Sequence, residues 1–132
     1  MAKKILVVED ELFIRTLVQS RLEANGYEVT TASDGEQALG KARSEKPDLI
    51  ILDLMLPKLD GARLCRLLKL DDNYKHIPIL VLTARVQKES FQKALEAGAD
   101  AFLSKPFVPE TLLDKIKQLL NKAPSGGKNK ED

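Results

Sequence analysis

Residues 49–53 read Leu-Ile-Ile-Leu-Asp, four uninterrupted apolar side chains followed by a carboxylate. An apolar run this short is typical of a strand that is covered on both faces, as in a parallel sheet. Ile5–Val8 and Ile79–Leu82 have the same character, and polar side chains follow both. Three such runs predict the buried centre of an α/β sheet.

Two weaker strand candidates complete the sheet. Tyr27–Ala32 is polar and β-branched, and Ala101–Leu103 is very short. Both properties suit the edges of a sheet. With the three apolar strands in the centre, the predicted strand order is 2-1-3-4-5, which is the flavodoxin-like doubly wound arrangement of a five-stranded parallel sheet.

Five helical patterns alternate with these strands. Apolar residues recur at spacings of three and four in Ile14–Leu22, Ala38–Ala42, Leu64–Leu68, Phe91–Leu95 and Leu112–Leu120. The alternation predicts helices on both faces of the sheet, joined by right-handed crossovers. Ser33 and Glu36 have the spacing of a capping box before the second helix. Gly98 is placed to end the fourth helix, and Pro109 lies near the first turn of the fifth.

Length and charge exclude several classes of protein. The 132 residues suit one domain, expected over residues 1–122, with residues 123–132 as a disordered tail or the remnant of a linker. The formal net charge is +1, so the charge balance demands neither nucleic acid nor an anionic membrane.

Cys65, the single cysteine, is expected to be a buried helix residue. The first apolar run is too short for a signal peptide or a membrane span, and the cytoplasm is the expected compartment.

Carboxylates follow two central strands of the predicted sheet. Glu9 and Asp10 come after the first strand, and Asp53 comes after the third. These strands are neighbours where the strand order reverses, which is where open parallel sheets bind ligands. Two like charges about 4 Å apart repel by roughly 4 kcal/mol at an effective dielectric constant near 20, so either protons or a cation must relieve the repulsion. Carboxylate oxygens are suitable ligands for a hard divalent ion such as Mg²⁺.

Two further polar residues fall at the same edge of the sheet. Thr83 ends the fourth strand, and Lys105 follows the fifth. A hydroxyl donor and an ammonium group that face a metal would bind a tetrahedral anion well. Singly, Thr83 fits a helix cap and Lys105 a solvated loop lysine. Together with three carboxylates, they favour a site for a phosphoryl group.

These motifs closely resemble those of a bacterial response-regulator receiver domain, of the same class as the chemotaxis response regulator. The resemblance covers residues 3–122. Each matching motif lies at or near a strand end, and the motifs are Val8–Glu11, Asp53–Pro57 with Asp60-Gly61, Leu82–Ala84, Gly98–Phe102 and Lys105–Phe107.

The resemblance implies a two-component phosphorelay receiver. Asp53 would accept a phosphoryl group from a phosphohistidine on a sensor histidine kinase or a histidine phosphotransfer protein. Asp10 and Asp53 would ligate Mg²⁺ or Mn²⁺ directly. Glu9 would act through a bound water, and Met55 through its backbone carbonyl. Lys105 would hold the phosphoryl oxygens. Such a domain is no enzyme, except that it catalyses its own phosphorylation and dephosphorylation.

The resemblance also implies a conformational switch. Thr83 would move toward the phosphoryl group, and Phe102 would turn inward to fill the space that Thr83 leaves. The surface of the fourth helix, fifth strand and fifth helix would then change for a downstream protein target, with no direct nucleic acid contact and no membrane insertion. Many receivers joined to winged-helix DNA-binding domains read Asp-Tyr where this chain has Ala101-Phe102, and that departure argues against their salt-bridged dimer here.

Three alternatives share the fold or the aspartate. A flavin- or nucleotide-binding protein would cradle phosphate after the first strand, but here the loop is Glu9–Glu11, which repels phosphate. A phosphohydrolase of the haloacid-dehalogenase type usually has a second aspartate two residues after the nucleophile, where this chain has Met55. A degenerate receiver would act only as a protein-binding module, yet all five key positions here carry suitable side chains.

Overall fold

The computed structural model describes residues 2–84 and 88–122, with the backbone alone for residues 83, 88–91 and 122. The predicted tail, residues 123–132, lies outside the described residues. Among the residues described, no helix is both long enough and apolar enough to cross a membrane.

The described residues form five strands that alternate with five helices. The strands are β1 (Lys4–Val8), β2 (Glu28–Ala32), β3 (Leu49–Leu52), β4 (Ile79–Thr83) and β5 (Ala101–Ser104). The helices are α1 (Leu12–Ala24), α2 (Gly35–Glu45), α3 (Gly61–Leu70), α4 (Lys88–Glu96) and α5 (Pro109–Lys122). β2 begins one residue later than the sequence predicts, and β5 ends one residue later.

The five strands form one parallel sheet in the order β2-β1-β3-β4-β5, which confirms the predicted fold class. Val8 of β1 lies opposite Leu52 of β3, and Leu52 lies opposite Val81 of β4. The carboxyl ends of β1 and β3 are therefore level with each other. The residues that follow these two strands emerge side by side, at the point where the strand order reverses.

β3 is buried on both faces, as its uninterrupted apolar sequence predicts. Ile50 and Leu52 belong to a buried cluster with residues of α2, α3 and α4, whereas Leu49 and Ile51 belong to a second cluster with residues of α1 and α5. Burying an aliphatic side chain of this size stabilises a fold by roughly 1.5–3 kcal/mol. β3 is therefore a rigid support for the residue that follows it.

The capping box predicted for Ser33 and Glu36 is wrong by one residue. Asp34 is the N-cap of α2, and its side chain accepts a hydrogen bond from the Gln37 N–H at 2.8 Å. The Gln37 side chain accepts in turn from the Ser33 N–H at 2.9 Å. A carboxylate also interacts favourably with the helix dipole, which explains why Asp34 takes the position from its neighbouring serine.

The sequence signals for the end of α4 and for the start of α5 are both confirmed. Gly98 has a φ of +98° and follows α4, where its N–H donates to the Leu95 carbonyl at 3.0 Å. The Ala99 N–H donates to the Ala94 carbonyl at 3.0 Å, which completes a Schellman motif. Pro109 is the first residue of α5, where its missing N–H costs nothing.

Cys65 is a buried residue of α3, as predicted. Burial raises the pKa of its thiol to about 11. The thiol group donates a long hydrogen bond of 3.5 Å to the Ala97 carbonyl, which lies just beyond the end of α4. The side chain therefore links two helices on one face of the sheet and is not a reactive group.

We predict that thiol reagents label Cys65 only when the protein unfolds. At about pH 8 the native thiol is protonated and shielded, whereas an unfolded chain has a cysteine pKa near 8.5 and ionises readily. Labelling with Ellman's reagent should be much slower in buffer than in denaturing guanidinium chloride. Equal rates in both solutions would contradict the prediction.

Candidate functional site

Three carboxylates meet where β1 and β3 end. Glu9, Asp10 and Asp53 each place an oxygen within 4.8 Å of the others. Glu9 and Asp53 are buried, with 3% and 7% of their surface exposed, whereas Asp10 is exposed. The level ends of β1 and β3 account for this convergence. The Asp53 N–H continues the strand pairing by donating to the Val8 carbonyl at 3.2 Å.

Lys105 closes the site from the loop after β5. Its ammonium nitrogen lies 2.6 Å from Glu9 Oε1 and 2.9 Å from Asp53 Oδ2. Burial alone would lower the pKa of Lys105, but the hydrogen bonds and charges of Glu9 and Asp53 outweigh it and raise the pKa above its usual value. The side chain is therefore a fixed positive charge between two carboxylates. The Lys105-Pro106 peptide bond is cis.

Backbone amides hold the remaining oxygens of the two buried carboxylates. The Glu11 N–H donates to Glu9 Oε2 at 3.2 Å, and the Met55 N–H donates to Asp53 Oδ1 at 3.0 Å. Burial raises the pKa of Glu9, although its contacts with Lys105 and with the Glu11 N–H oppose that change. Both carboxylates thus have a fixed orientation, with one oxygen on a backbone donor and the other on the lysine.

The turn after Asp53 depends on a close approach by Gly61. The Gly61 N–H donates to the Leu54 carbonyl at 3.0 Å. A Cβ atom at position 61 would collide with the Asp53 carbonyl and would lie 2.7 Å from the Leu54 Cα. Asp60, the N-cap of α3, accepts from the Arg63 N–H at 2.9 Å. The Asp60-Gly61 pair therefore starts α3 and fixes the backbone that carries the buried aspartate.

Sequence reasoning missed Arg15 and an apolar cleft. Arg15 reaches back from α1, and its guanidinium donates to the Glu9 carbonyl at 2.8 Å. The acidic site opens into a cleft of about 610 Å³ whose apolar wall includes Ile14, Leu17, Met55 and Phe107. The position of Arg15, one turn into α1 after the acidic loop, is the sequence feature that could have indicated a contact with that loop. The cleft is lined by residues from four separate segments of the chain, so no local sequence pattern predicts it.

The predicted switch residues are only partly within the described structure. Thr83 is the last residue of β4, and its side chain lies outside the described residues. Phe102 lies on β5, is half-buried and packs against the cluster of α2, α3 and α4. Met55 has an exposed side chain beside the acidic site, which lines the cleft.

The site fits a hard divalent cation. Its potential ligands are carboxylate oxygens, which Mg²⁺ prefers, and the exposed Asp10 leaves a side open to water. In the described part of the chain, Asp10 has no hydrogen bond or ion pair. Three convergent acids with one ammonium between two of them leave excess negative charge that a divalent ion would balance.

Comparison with known proteins identifies the family. The family described as response regulator receiver domain matches residues 5–117. The chain belongs to this family. It is therefore a signal-receiving domain of a two-component system, and the recognition made from its strand-end motifs is confirmed. Membership also sets aside the flavin-binding alternative.

The curated relatives are named as transcriptional regulators or as response regulators. The chain is 50% identical over 123 residues to the alkaline phosphatase synthesis transcriptional regulatory protein PhoP of Bacillus subtilis, covering 93% of this chain and 50% of that protein. It is 43% identical over 122 residues to the response regulator MprA of Mycobacterium bovis, covering 92% and 52%. The chain thus spans about half the length of the curated relatives it matches.

Solved structures of receiver domains match over nearly their whole length. The chemotaxis response regulator CheY4 of Vibrio cholerae superposes with a TM-score of 0.85 at 39% identity, covering 90% of this chain and 99% of that one. The receiver domain of the sensor histidine kinase PA1611 of Pseudomonas aeruginosa superposes with a TM-score of 0.86 at 32% identity, covering 92% and 100%. That domain was solved with a magnesium ion coordinated in its active-site cleft.

We predict opposite effects for two glycine-to-alanine substitutions. Gly61→Ala forces a methyl group onto the backbone of Asp53 and Leu54, and should lower the free energy of unfolding by roughly 1–3 kcal/mol. Gly40→Ala is the matched control, because Gly40 lies in α2 with open space around it, and it should raise stability by up to about 1 kcal/mol. Denaturant unfolding measures both. Equal stabilities would show that Gly61 is not needed for the turn.

Proposed function

We propose that Asp53 is the phosphoacceptor of this receiver domain and that it works with a bound Mg²⁺ or Mn²⁺. The observation that carries the proposal is the position of its carboxylate. Asp53 is buried beside two other acids, one oxygen is oriented by the Met55 N–H, and a lysine ammonium lies 2.9 Å from the other. A fixed nucleophile with positive charge beside it suits phosphoryl transfer, because that charge stabilises the phosphoryl oxygens.

The proposed reaction transfers a phosphoryl group from a phosphohistidine. A carboxylate oxygen of Asp53 attacks phosphorus, and a C–O–P bond of an acyl phosphate forms. The P–N bond to the donor imidazole breaks, its electron pair returns to nitrogen, and the imidazole takes up a proton. The domain is therefore an acceptor that catalyses its own phosphorylation and later dephosphorylation, and it turns over no other substrate.

The metal-holding residues are proposed from the acidic cluster and the resemblance. Asp10 and Asp53 would bind the cation directly, Glu9 would act through a water molecule, and Met55 would offer its backbone carbonyl. A divalent cation supplies positive charge for the phosphoryl oxygens when bound. Lys105 supplies a second positive charge from the opposite side, because its ammonium is within hydrogen-bond distance of Asp53.

The proposed output is a change of surface at α4, β5 and α5. The Thr83 hydroxyl would move toward the phosphoryl group, and Phe102 would move further into the cluster that it already touches. Phosphorylation must favour the active state by about 5.5 kcal/mol to convert a population of about 1:99 into 99:1. A phosphoryl group supplies close to two negative charges and three acceptor oxygens for this purpose.

The proposed partners are proteins. A histidine kinase or a histidine phosphotransfer protein would donate the phosphoryl group, and a downstream protein or an attached effector domain would read the changed surface. The near-neutral net charge gives this domain itself no general attraction for nucleic acid. A cytoplasmic location follows from the proposed role, since the phosphoryl donor is made with cellular ATP.

Phosphorylation should depend on Asp53. The wild-type protein incubated with acetyl phosphate and Mg²⁺ should gain one phosphoryl group by intact-mass measurement, whereas Asp53→Asn should gain none. Asp72→Asn is the matched control, because Asp72 is an exposed aspartate in the loop before β4, at the opposite edge of the sheet. Labelling of Asp53→Asn to the wild-type level would refute the assignment of the acceptor.

The switch should be separable from phosphoryl transfer. Beryllofluoride, a phosphoryl mimic, should bind with Mg²⁺ and shift the backbone amide resonances of β5 and α5 as well as those at Asp53. Thr83→Ala should still bind the mimic but should lose most of the shifts in β5. Unchanged β5 shifts in this variant would remove Thr83 from the switch.

A further inference from the structure

Arg15 holds both ends of the loop between β1 and α1. This loop, Glu9–Glu11, carries two of the three acids of the site. The Arg15 backbone N–H donates to the Glu11 carbonyl at 2.9 Å, and its guanidinium donates to the Glu9 carbonyl at 2.8 Å. A single half-buried residue, one turn into α1, therefore fixes the loop to the helix.

The contact with the Glu9 carbonyl holds the peptide bond that leads to Asp10. Glu9 itself has further anchors, because its N–H donates to the Ala32 carbonyl at 3.1 Å and its carboxylate lies 2.6 Å from the Lys105 ammonium. Asp10 is exposed, and its side chain has no hydrogen bond or ion pair with another described residue. The position of the Asp10 carboxylate therefore depends on its backbone, and Arg15 is the side chain that holds the peptide before it.

Arg15 acts on the loop without touching the reacting groups. It is not among the described residues that line the cleft, and within that part of the chain its guanidinium has no carboxylate partner. Its charge and its hydrogen bond have opposite consequences for a cation at the acidic site. The charge repels the cation, so losing the charge alone would tighten metal binding. The hydrogen bond orders the loop, so losing it would weaken metal binding, because the metal would then have to order Asp10 itself.

We propose that Arg15 is a positioning residue that orders Asp10 for the divalent cation before the cation binds, and that this effect outweighs the repulsion from its charge. The proposal rests on the proposed function, because it concerns the same metal, and it adds a residue that lies outside the acidic cluster. The start of α1 supports it. Glu11 is the N-cap of α1 but makes no side-chain hydrogen bond there, so the loop lacks the usual local anchor and depends on Arg15 instead.

The first test compares Mn²⁺ affinity, measured by electron paramagnetic resonance, in wild type and three variants. Arg15→Met removes the donor and the charge, and should bind Mn²⁺ about tenfold more weakly, equivalent to about 1.4 kcal/mol. Arg15→Lys keeps a charged donor on a long side chain and should stay within about threefold of wild type. Arg21→Met is the matched control, because Arg21 is exposed in the last turn of the same helix, and it should leave the affinity unchanged.

The second test measures the order of the loop without metal. The order parameter of the Asp10 backbone amide, from nuclear magnetic resonance relaxation, should be about 0.85 in wild type and should fall toward about 0.6 in Arg15→Met. With acetyl phosphate as donor, Arg15→Met should need about tenfold more Mg²⁺ for its half-maximal rate of phosphorylation. Its maximal rate at saturating Mg²⁺ should remain close to that of wild type. A residue that only supported the fold would not separate these two quantities.

The outcomes distinguish this proposal from the function on which it rests. If wild type binds Mn²⁺ and Arg15→Met binds it equally or more tightly, Arg15 is not a positioning residue and the metal site stands. An unchanged Asp10 order parameter in Arg15→Met would overturn the proposal in the same way. If wild type binds no Mn²⁺, or if Asp53→Asn binds it as tightly as wild type, the proposed metal site fails and the role of Arg15 fails with it.

Far-UV circular dichroism checks the fold of each variant. If Arg15→Met is unfolded, Arg15→Gln replaces it, because the shorter side chain lacks the reach of the guanidinium. The same weakening of Mn²⁺ binding and the same loss of order at Asp10 are expected, and their absence would overturn the proposal.

Discussion

Electrostatic repulsion among Glu9, Asp10 and Asp53 is the constraint on which the rest of the structure depends. Three acids within 4.8 Å of one another oppose the fold that brings them together. Each close pair of ionised carboxylates costs roughly 4 kcal/mol at 4 Å and an effective dielectric constant near 20. Burial of the apolar strands β1 and β3 on both faces stabilises the fold against that repulsion. The same two strands fix the positions from which the acids emerge. Lys105 offsets part of it directly, through its contacts with two of the three acids.

The fold and the location of the site could be predicted because they follow from features that are local in sequence. Leu49–Leu52 is apolar without a break, and such a run is by itself enough to predict a strand that is buried on both faces. Once three such strands are placed centrally, the strand order follows, and the order decides that Asp53 must lie beside Glu9. The convergence of the acids is thus a consequence of the strand order and of the level carboxyl ends of β1 and β3.

Other features could not be predicted. Some depend on which of two neighbouring residues takes a position, and others depend on contacts between residues that are distant in sequence. Ser33 and Asp34 are adjacent candidates for the same cap, and only the geometry of the helix start decides between them. The position of Arg15, one turn into α1 after an acidic loop, does not decide whether its side chain points into solvent or reaches the Glu9 carbonyl. Lys105 was expected at this edge of the sheet, but its particular contacts with Glu9 and Asp53 could not be predicted from the sequence. Rotamers of long side chains are set by the assembled site, not by the local sequence.

A site of this kind explains how one fold serves receivers with different outputs. The relatives include a transcriptional regulator of which this chain covers only 50%, while the matching structures include a chemotaxis regulator of which it covers 99%. Chemistry at the carboxyl edge of β1 and β3 is separated from the surfaces of α4 and α5, so those surfaces can vary without disturbing the acids. Asp100, which comes just before β5, is an acid that lies outside this site. Its carboxylate is bound within the chain by Lys69 at 2.8 Å and by the Ile79 N–H at 2.8 Å, so it fixes the start of β5.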